Sequence, residues 1–221
     1  MAIEIATLTP PPLIIIGAGG HAREMVCLAR DCGTWNLLGC VDDAPAAHGR
    51  SVAGAPVLGT IEEAVARRPD ANFLVAIGDP RIRKNVVTRL APRELRFATL
   101  IHPAIIVPAD LRLGHGSTIG LGSVLSTNVS IGDHVIVNVS CTLSHDVQLG
   151  DFSTVGPGLT LPGEVCVGRG AEIAPGAAIA RGIQVGVGAM VGLGAVVTRS
   201  IPDNVLAYGA PARSVRALDP F

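Results

Sequence analysis

Apolar and polar positions follow two different rules along this chain. Between Leu13 and about Leu100, short apolar runs alternate with stretches whose apolar residues recur at helical spacing. The runs predict strands over Leu13–Ile16, Leu37–Val41 and Phe73–Ile77, and the stretches between them predict helices over Ala22–Asp31, Ile61–Arg67 and Arg81–Leu90. Strands alternating with helices predict a small parallel sheet. After Pro108 the period becomes six. Val107, Leu113, Ile119, Leu125, Ile131, Val137, Leu143, Leu149, Val155, Leu161, Val167, Ile173, Ile179, Val185, Val191 and Val197 follow one another at that interval without a slip. A second column four residues further on, from Leu111, Ser117 and Ser123 to Ala195 and Ile201, holds small or apolar residues, as an inward position beside a bulky neighbour should. Gly often follows the first column, at 114, 120, 132, 150, 156, 168, 186 and 192, where a tight corner is expected to use its permissive dihedrals. This hexad repeat predicts a parallel β-helix in which short strands build three walls. Three hexads make a coil, so sixteen give a little over five coils. The expected organisation is an α/β domain over 1–100 and a β-helix with its C-terminal tail over 101–221.

Composition supports that picture. Apolar residues make up 48% of the 221 positions and mean hydropathy is +0.48, yet aromatic residues are only 3% and glycine occurs 27 times. The apolar stretch near the N-terminus, Leu13–Ile16, is far short of the ~20 residues a membrane-spanning helix needs, so the expectation is a soluble protein. Thin repeated layers of Val, Ile, Leu and Ala account for the hydropathy. The net charge of −1, from 17 basic and 18 acidic residues, leaves no electrostatic footprint for nucleic acid or an anionic membrane surface. Eleven of the basic residues lie in the first hundred positions and read as surface decoration. Five cysteines without a CxxC pair, and a Met1 to Pro12 stretch without a basic leader region, fit a reducing cytoplasm.

Chemistry is sought where the repeat is broken. Within Val107–Val197 only nine residues are charged and one is aromatic, so His115, His134 and His145 stand out. His145 is singled out because Asp146 follows it and because it lies two places after the inward Leu143, on a wall of the helix. An imidazole can accept a proton from an incoming nucleophile while a carboxylate orients its ring. Adjacent strand residues point to opposite faces, so Asp146 is expected to act through a backbone or water path. Eighteen residues beyond His145, one coil along the same wall, stands Gly163. A missing side chain there leaves room for a thin ligand and bares an N–H for a carbonyl oxygen; following Pro162, it equally reads as a turn. The three histidines are separated by 19 and 11 residues, without the five-residue His spacing of zinc-binding β-helix enzymes, so no metal is expected. In the first half, Gly17-Ala18-Gly19-Gly20-His21-Ala22 joins a strand to a helix as a phosphate-loop-like turn. Asp42 and Asp43 follow the second strand, where a carboxylate can hold a ribose, and Gly78 ends the third, at the edge where open α/β sheets bind ligands.

These segments together resemble a family. IIIGAGGHARE, CVDD, AIGDPRIRKNV, LIHP, SHDVQLGDFSTVGPG and PDNVLAYGAPAR cover nearly the whole chain. They are similar to the bacterial sugar O- and N-acetyltransferases, which include sialic acid O-acetyltransferases and the nucleotide-sugar N-acetyltransferases of the bacillosamine and perosamine pathways. The resemblance implies a Rossmann-like domain followed by a left-handed β-helix, a homotrimer, and acetyl-CoA held between neighbouring subunits. It implies His145 as general base, Asp146 as its acidic neighbour, Asn138 lining the acceptor pocket, and Gly163 as a backbone amide near the thioester. Gly17, Gly19, Gly20, His21, Asp42, Asp43 and Gly78 match the nucleotide side. Many members carry a histidine nine residues after the base, contacting the acetyl carbonyl; here Thr154 stands there, and its hydroxyl is expected to donate instead.

The expected function is acetyl-CoA-dependent N-acetylation of a nucleotide-linked 4-amino-deoxy sugar, with no metal. Two alternatives stay open: O-acetylation of a sugar of the sialic acid kind, and a non-enzymatic nucleotide-sugar-binding scaffold.

Overall fold

A computed structural model describes residues 9–221; the first eight positions, part of the Met1 to Pro12 stretch searched for a leader, lie outside the described residues. The first half folds as expected, with element ends moved by a few residues. Strand β1 (Pro12–Ile16) is followed by helix α1 (Gly20–Cys32), β2 (Asn36–Val41), α2 (Ile61–Arg67), β3 (Asn72–Val75), α3 (Pro80–Leu90) and β4 (Arg96–Phe97). The four strands pair in parallel in the order β2-β1-β3-β4. Central β1 is an unbroken apolar run because helices cover both faces of the sheet. Leu13 and Ile15 pack with Met25 and Val26 of α1, while Ile14 and Ile16 pack with Ile61 and Val65 of α2. Local chemistry sets the helix ends. Thr60 and Glu63 form a reciprocal capping box on α2, Asp79 caps α3 ahead of Pro80, and left-handed Gly33 closes α1.

The second half is a left-handed parallel β-helix of about six turns. Its walls differ in what their outward residues meet. One wall runs from Leu100–Ile101 through Thr118–Ile119, Ile136–Val137, Thr154–Val155 and Glu172–Ile173 to Met190–Val191, and the α/β domain packs on its first half; it is called the covered wall here. A polar wall presents Arg112, Ser130, Gln148, Cys166 and Gln184 outward. A bare wall presents Val124, Thr142, Thr160, Ala178 and Val196. The covered wall ends in an added antiparallel pair, β5 (Val205–Tyr208) and β6 (Arg213–Ala217). Inward aliphatics of the first column fill the core, from Ile119 at 0% exposure to Val197 at 1%. Two serines of the second column pair their hydroxyls with backbone: Ser117 Oγ donates to Gly132 O and accepts from Val135 N, and Ser123 Oγ donates to Asn138 O and accepts from Cys141 N.

Three expectations about the repeat are corrected. Val107 is not a wall residue: it is 48% exposed, and Ile105 is buried in its place. Pro108 lacks the N–H that the residue after each inward aliphatic donates to the next coil, as Gly114 does to Ile131 O, so no rung forms there. The first rung is instead Leu100–Ile101, paired with Thr118–Ile119. Second, the left-handed corner position is not the glycine column named above. It is the column at 116, 122, 128, 134 and every sixth residue to 194, all at positive φ, with Asn128, His134, Ser140, Asp146, Phe152 and Glu164 among glycines. Third, the glycines at 114, 132, 150, 168 and 186 are there for closeness. A Cβ at Gly150 would lie 2.7 Å from the Arg169 nitrogen of the next coil, and one at Gly168 2.7 Å from the Gly186 carbonyl carbon.

One side chain joins the two halves. Arg83 of α3 is 1% exposed. It donates to Ile77 O and Gly78 O in its own domain and to His134 O, Phe152 O, Ser153 O and the Thr154 hydroxyl on the β-helix, at 2.6 to 3.2 Å. Burial pulls its guanidinium down to about 10, so it stays charged at neutral pH. It is no surface decoration. Beside it the His134 ring lies between Phe97, edge-on at 4.6 Å, and Phe152, stacked at 5.2 Å.

Candidate active site

His145 and Asp146 lie on the corner where the bare wall turns into the polar wall, not on a strand. Asp146 takes the left-handed corner conformation, at φ +63°, and this turns its carboxylate back toward its neighbour. The strand-alternation argument therefore fails: His145 Nδ1 meets Asp146 Oδ2 directly at 2.7 Å. A carboxylate only accepts, so Nδ1 carries the proton and Nε2 keeps its lone pair. The other Asp146 oxygen accepts from Asn128 Nδ2 at 2.6 Å, and Asp110 in turn receives Asn128 N and the Thr127 hydroxyl. Asp110, Asn128 and Asp146 are stacked one coil apart, so the corner carries a three-coil relay that orients the imidazole. Hydrogen bonds from His145 first, and then Asn128, hold the Asp146 carboxyl below the usual carboxylate range. Nothing in the repeat marks Asn128 or Asp110 unless 18-residue neighbours of Asp146 are inspected for polar side chains.

Gly163 lies under the ring. A Cβ there would come 2.3 Å from both Cε1 and Nε2 of His145. Its φ lies outside the left-handed region, so neither a turn nor an empty ligand slot explains the glycine: the imidazole itself occupies the space. Among the described residues its N–H has no hydrogen-bond partner, whereas its carbonyl accepts from Gly182 N. Pro162 removes the ladder donor at this coil, and the bare wall's hydrogen bonding is interrupted between Thr160–Leu161 and Ala178–Ile179. His145, Asp146 and Glu164 each bring one ligating atom within 4.8 Å of the others. In the structure those groups are engaged with one another, with Asn128, and with Arg181, which pairs with Glu164.

The other histidines do different work. Burial pulls His134 down to about 4, so it stays neutral between its phenylalanines, and His115 is exposed with its amide held by Asp133. Thr154 lies on the covered wall, away from the His145 corner, and is 8% exposed. Its hydroxyl accepts from Arg83 and donates to Gly78 O, so the expected donor to an acetyl group is already committed between the domains.

On the α/β side, Gly17 has a φ of +116°, which side-chain-bearing residues rarely adopt, and a Cβ there would lie 3.0 Å from Ala76 O. Among the described residues the α1 N-terminus has no side-chain cap, its first turn holds no acidic residue, and space above Gly19 and Gly20 is open. Such an end favours an anion. Asp42 Oδ2 accepts from Ala18 N at 2.8 Å and so joins the loop to the second strand's end. Asp43 and Gly78 turn out to be structural. Asp43 receives Ile61 N and pairs with Arg89, while the Gly78 carbonyl faces Arg83 and Thr154. A cavity of about 410 Å³ opens next to the loop, between α1 and the covered wall; His21, His102, Thr118 and Asn138 line it. Asn138 is thus placed near the loop and one corner away from His145. Sequence reasoning missed Thr118 and His102 as lining residues.

Six-residue rungs and an imidazole with a free ring nitrogen on a corner define a hexapeptide-repeat β-helix joined to a small parallel α/β domain. Residues 12–90 match the PglD N-terminal domain. A UDP-N-acetylbacillosamine N-acetyltransferase from Bacillus subtilis is 35% identical over 48% of this chain and 49% of its own length. A GDP-perosamine N-acetyltransferase from Escherichia coli O157:H7 is 34% identical over 53% of this chain and 55% of its own. This chain thus spans about half the length of the curated relatives it matches. The crystal structure of PerB from Caulobacter crescentus, in complex with CoA and GDP-perosamine, is 34% identical, with a TM-score of 0.85 over 96% of this chain and all of that one. The Caulobacter protein has also been solved with a histidine replaced by asparagine or alanine. The chain belongs to the sugar N-acetyltransferase family of hexapeptide β-helix proteins.

Proposed function

We propose that the protein transfers the acetyl group of acetyl-CoA to the amine of a nucleotide-linked 4-amino sugar, as a cytoplasmic homotrimer. The observation that carries this reading is the His145 imidazole, protonated at Nδ1 by its bond to Asp146, with the free Nε2 lying over Gly163. The amine attacks the thioester carbonyl and a C–N bond forms. His145 Nε2 takes the proton that the nitrogen must lose, the C–S bond breaks, and the proton passes to the departing CoA sulfur. The Gly163 N–H, without a partner among the described residues, donates to the carbonyl oxygen as it gains charge. The nucleotide diphosphate binds at Gly19 and Gly20 with Asp42 behind them, and the sugar enters the adjoining cavity past His21 toward Asn138.

Self-association is supported by two features of the surface. The α/β domain sits on the covered wall while His145 occupies the opposite corner, so a sugar held by one copy reaches the base of a neighbour. An apolar edge runs along the corner between covered and bare walls, with Leu121 52%, Val139 43% and Leu193 75% exposed and Pro157 and Pro175 between them. In the described residues no helix is long and apolar enough to cross a membrane. Replacing His145 by alanine tests the reading: turnover falls at least about tenfold, since general-base help is worth about 10² to 10⁴ and a neutral amine needs less than a hydroxyl does. Acetyl-CoA binding is retained. Unchanged turnover removes His145 from the mechanism.

A further inference from the structure

The corner between the polar and covered walls carries positions 116, 134, 152, 170 and 188 one coil apart, all in the left-handed conformation. His134 and Phe152 bear rings there, so that conformation alone does not demand glycine at the two positions that follow. Phe221 occupies the space they leave. A Cβ at Gly170 would overlap its ring, and one at Gly188 would lie 2.7 Å from its Cβ. The ring stands 6.3 Å from that of Phe152, so Phe97, His134, Phe152 and Phe221 form one continuous line of rings along the corner. Its first member belongs to the α/β domain and its last to the segment after β6. Three cations face the Phe221 ring: Lys84 at 4.3 Å and Arg81 at 5.7 Å from α3, and Arg169 at 5.8 Å from the β-helix, all within reach of a cation–π attraction. Arg81 also donates to Pro220 O at 3.0 Å and to Gly188 O at 3.4 Å, and Phe221 N donates to Asn204 Oδ1 at 2.9 Å. Helix, tail and corner are thus tied at one point.

That point lies away from the other attachments of the α/β domain. The chain enters the β-helix at Leu100–Ile101, and Arg83 grips residues 134 and 152–154. Gly188 lies two coils beyond Phe152, about 10 Å along the axis at ordinary strand spacing. A tie there has leverage against rocking of the domain about Arg83. Helix α3 opens directly after Gly78 and Asp79, and Gly17–Gly20 follows the adjacent strand of the same sheet, so a tilt of α3 carries the glycine loop with it. We infer that Phe221 and Arg81 form a strap that positions the α/β domain on the β-helix, and through it the sugar amine before the base. Both are positioning residues, acting through the set of the domain and not by contact with the amine or the thioester. This rests on the proposed N-acetyltransferase reading and adds to it the residues that hold its two halves in working alignment.

The experiment uses the full chain, acetyl-CoA, and GDP- and UDP-linked 4-amino sugars. Phe221→Ala empties the glycine notch, and Arg81→Met keeps the length of the side chain while removing its guanidinium. Each is expected to lower kcat about tenfold, short of the roughly 10²-fold that a misplacement of about 1 Å between reacting groups can cost. Calorimetry is expected to give a Kd within about twofold of the wild type for acetyl-CoA, and likewise for GDP or UDP alone, because neither ligand depends on how the two domains are set. The double variant is expected to lose no more than either single one, since both release the same tie. A tail with a merely structural role would lower the melting temperature and leave kcat unchanged well below it. Unchanged kcat in the folded variants, a loss explained by weaker acetyl-CoA or nucleotide binding, or losses that multiply in the double variant would each overturn the inference while the N-acetyltransferase reading stands. A folded wild type that acetylates no nucleotide-linked amino sugar overturns both. Should Phe221→Ala not fold, Arg81→Met, which leaves the notch filled, still decides by the same readouts.

Discussion

Replacing Gly163 by alanine would place a methyl carbon 2.3 Å from Cε1 and Nε2 of His145, where carbon atoms ordinarily stop at about 3.5–4.0 Å. The backbone tolerates the change, since Gly163 is not in the left-handed region. The overlap of more than about 1 Å falls entirely on the imidazole. With its side chain 44% exposed, the ring has solvent to swing into, and swinging breaks the 2.7 Å bond to Asp146. Misplacing a reacting group by about 1 Å can reduce rate by about 10²-fold, which is about 2.7 kcal/mol of lost transition-state stabilisation. Gly163→Ala is therefore expected to lower kcat about 100-fold, close to the effect of His145→Ala, and to leave the melting temperature near that of the wild type. Combining the two substitutions adds little, because both remove the same base. The assay is CoA thiol release at saturating acetyl-CoA, with a thermal melt as the folding control. A folded Gly163→Ala protein that keeps kcat within about twofold refutes the argument that this glycine exists to seat the imidazole.

Asp146→Asn keeps the size of the side chain and removes the charge that selects the Nδ1–H tautomer; turnover is expected to fall about tenfold or more while the acetyl-CoA KM holds, and an unaffected kcat would count against the relay. Arg83→Met removes the donor from five carbonyl oxygens at the domain joint, of which Gly78 O and Ser153 O keep a second one from Thr154 Oγ1 and Ile136 N. Urea unfolding should show a loss of about 3–5 kcal/mol or a separate early transition of the α/β domain, and Arg83→Lys should not rescue it, because one ammonium cannot span both domains. His134 titrates at about 4 in the folded protein and near 6.5 when free, so below pH 6.5 the unfolded chain takes up a proton that the folded one refuses. Its contribution to stability is complete above pH 6.5 and is lost as pH falls toward 4, by about 3 kcal/mol in all. Unfolding midpoints at pH 7 and pH 4.5 should differ more for the wild type than for His134→Asn; equal differences would place the histidine in contact with water.

The hexad period was legible because one aliphatic residue per six faces inward at every rung, and each is buried from Ile119 to Val197. The departures came from proline. At Pro108 and Pro162 the missing N–H interrupts the ladder in ways an aliphatic column cannot register, and so Val107 read as a wall residue. The left-handed corner column escaped notice because six of its members are not glycine. A corner also explains why His145 and Asp146 touch when strand alternation argued that they should not. The site was half visible. The contact of Gly163 with His145 follows from stacking at 18-residue spacing, whereas His145 was singled out by the acid that follows it. Arg83 was not visible, since an arginine among several on an exposed-looking helix carries no sign that six acceptors from two domains converge on it. Thr154 was placed by resemblance alone, although the 18-residue coil puts it beside Ile136 on the covered wall, nine residues and half a coil from the base.

The proposed activity is acetyl transfer from CoA to a sugar nitrogen. Incubating the protein with acetyl-CoA and a panel of UDP- and GDP-linked 4-amino sugars, with free sialic acid alongside, and locating the acetyl group in the product by NMR, puts that to the test. It predicts one acetyl group on the amine of a nucleotide-linked sugar, formed by the wild type and strongly reduced in His145→Ala. Acetyl on a hydroxyl of the free sugar, or nucleotide-sugar binding without any transfer, would contradict it.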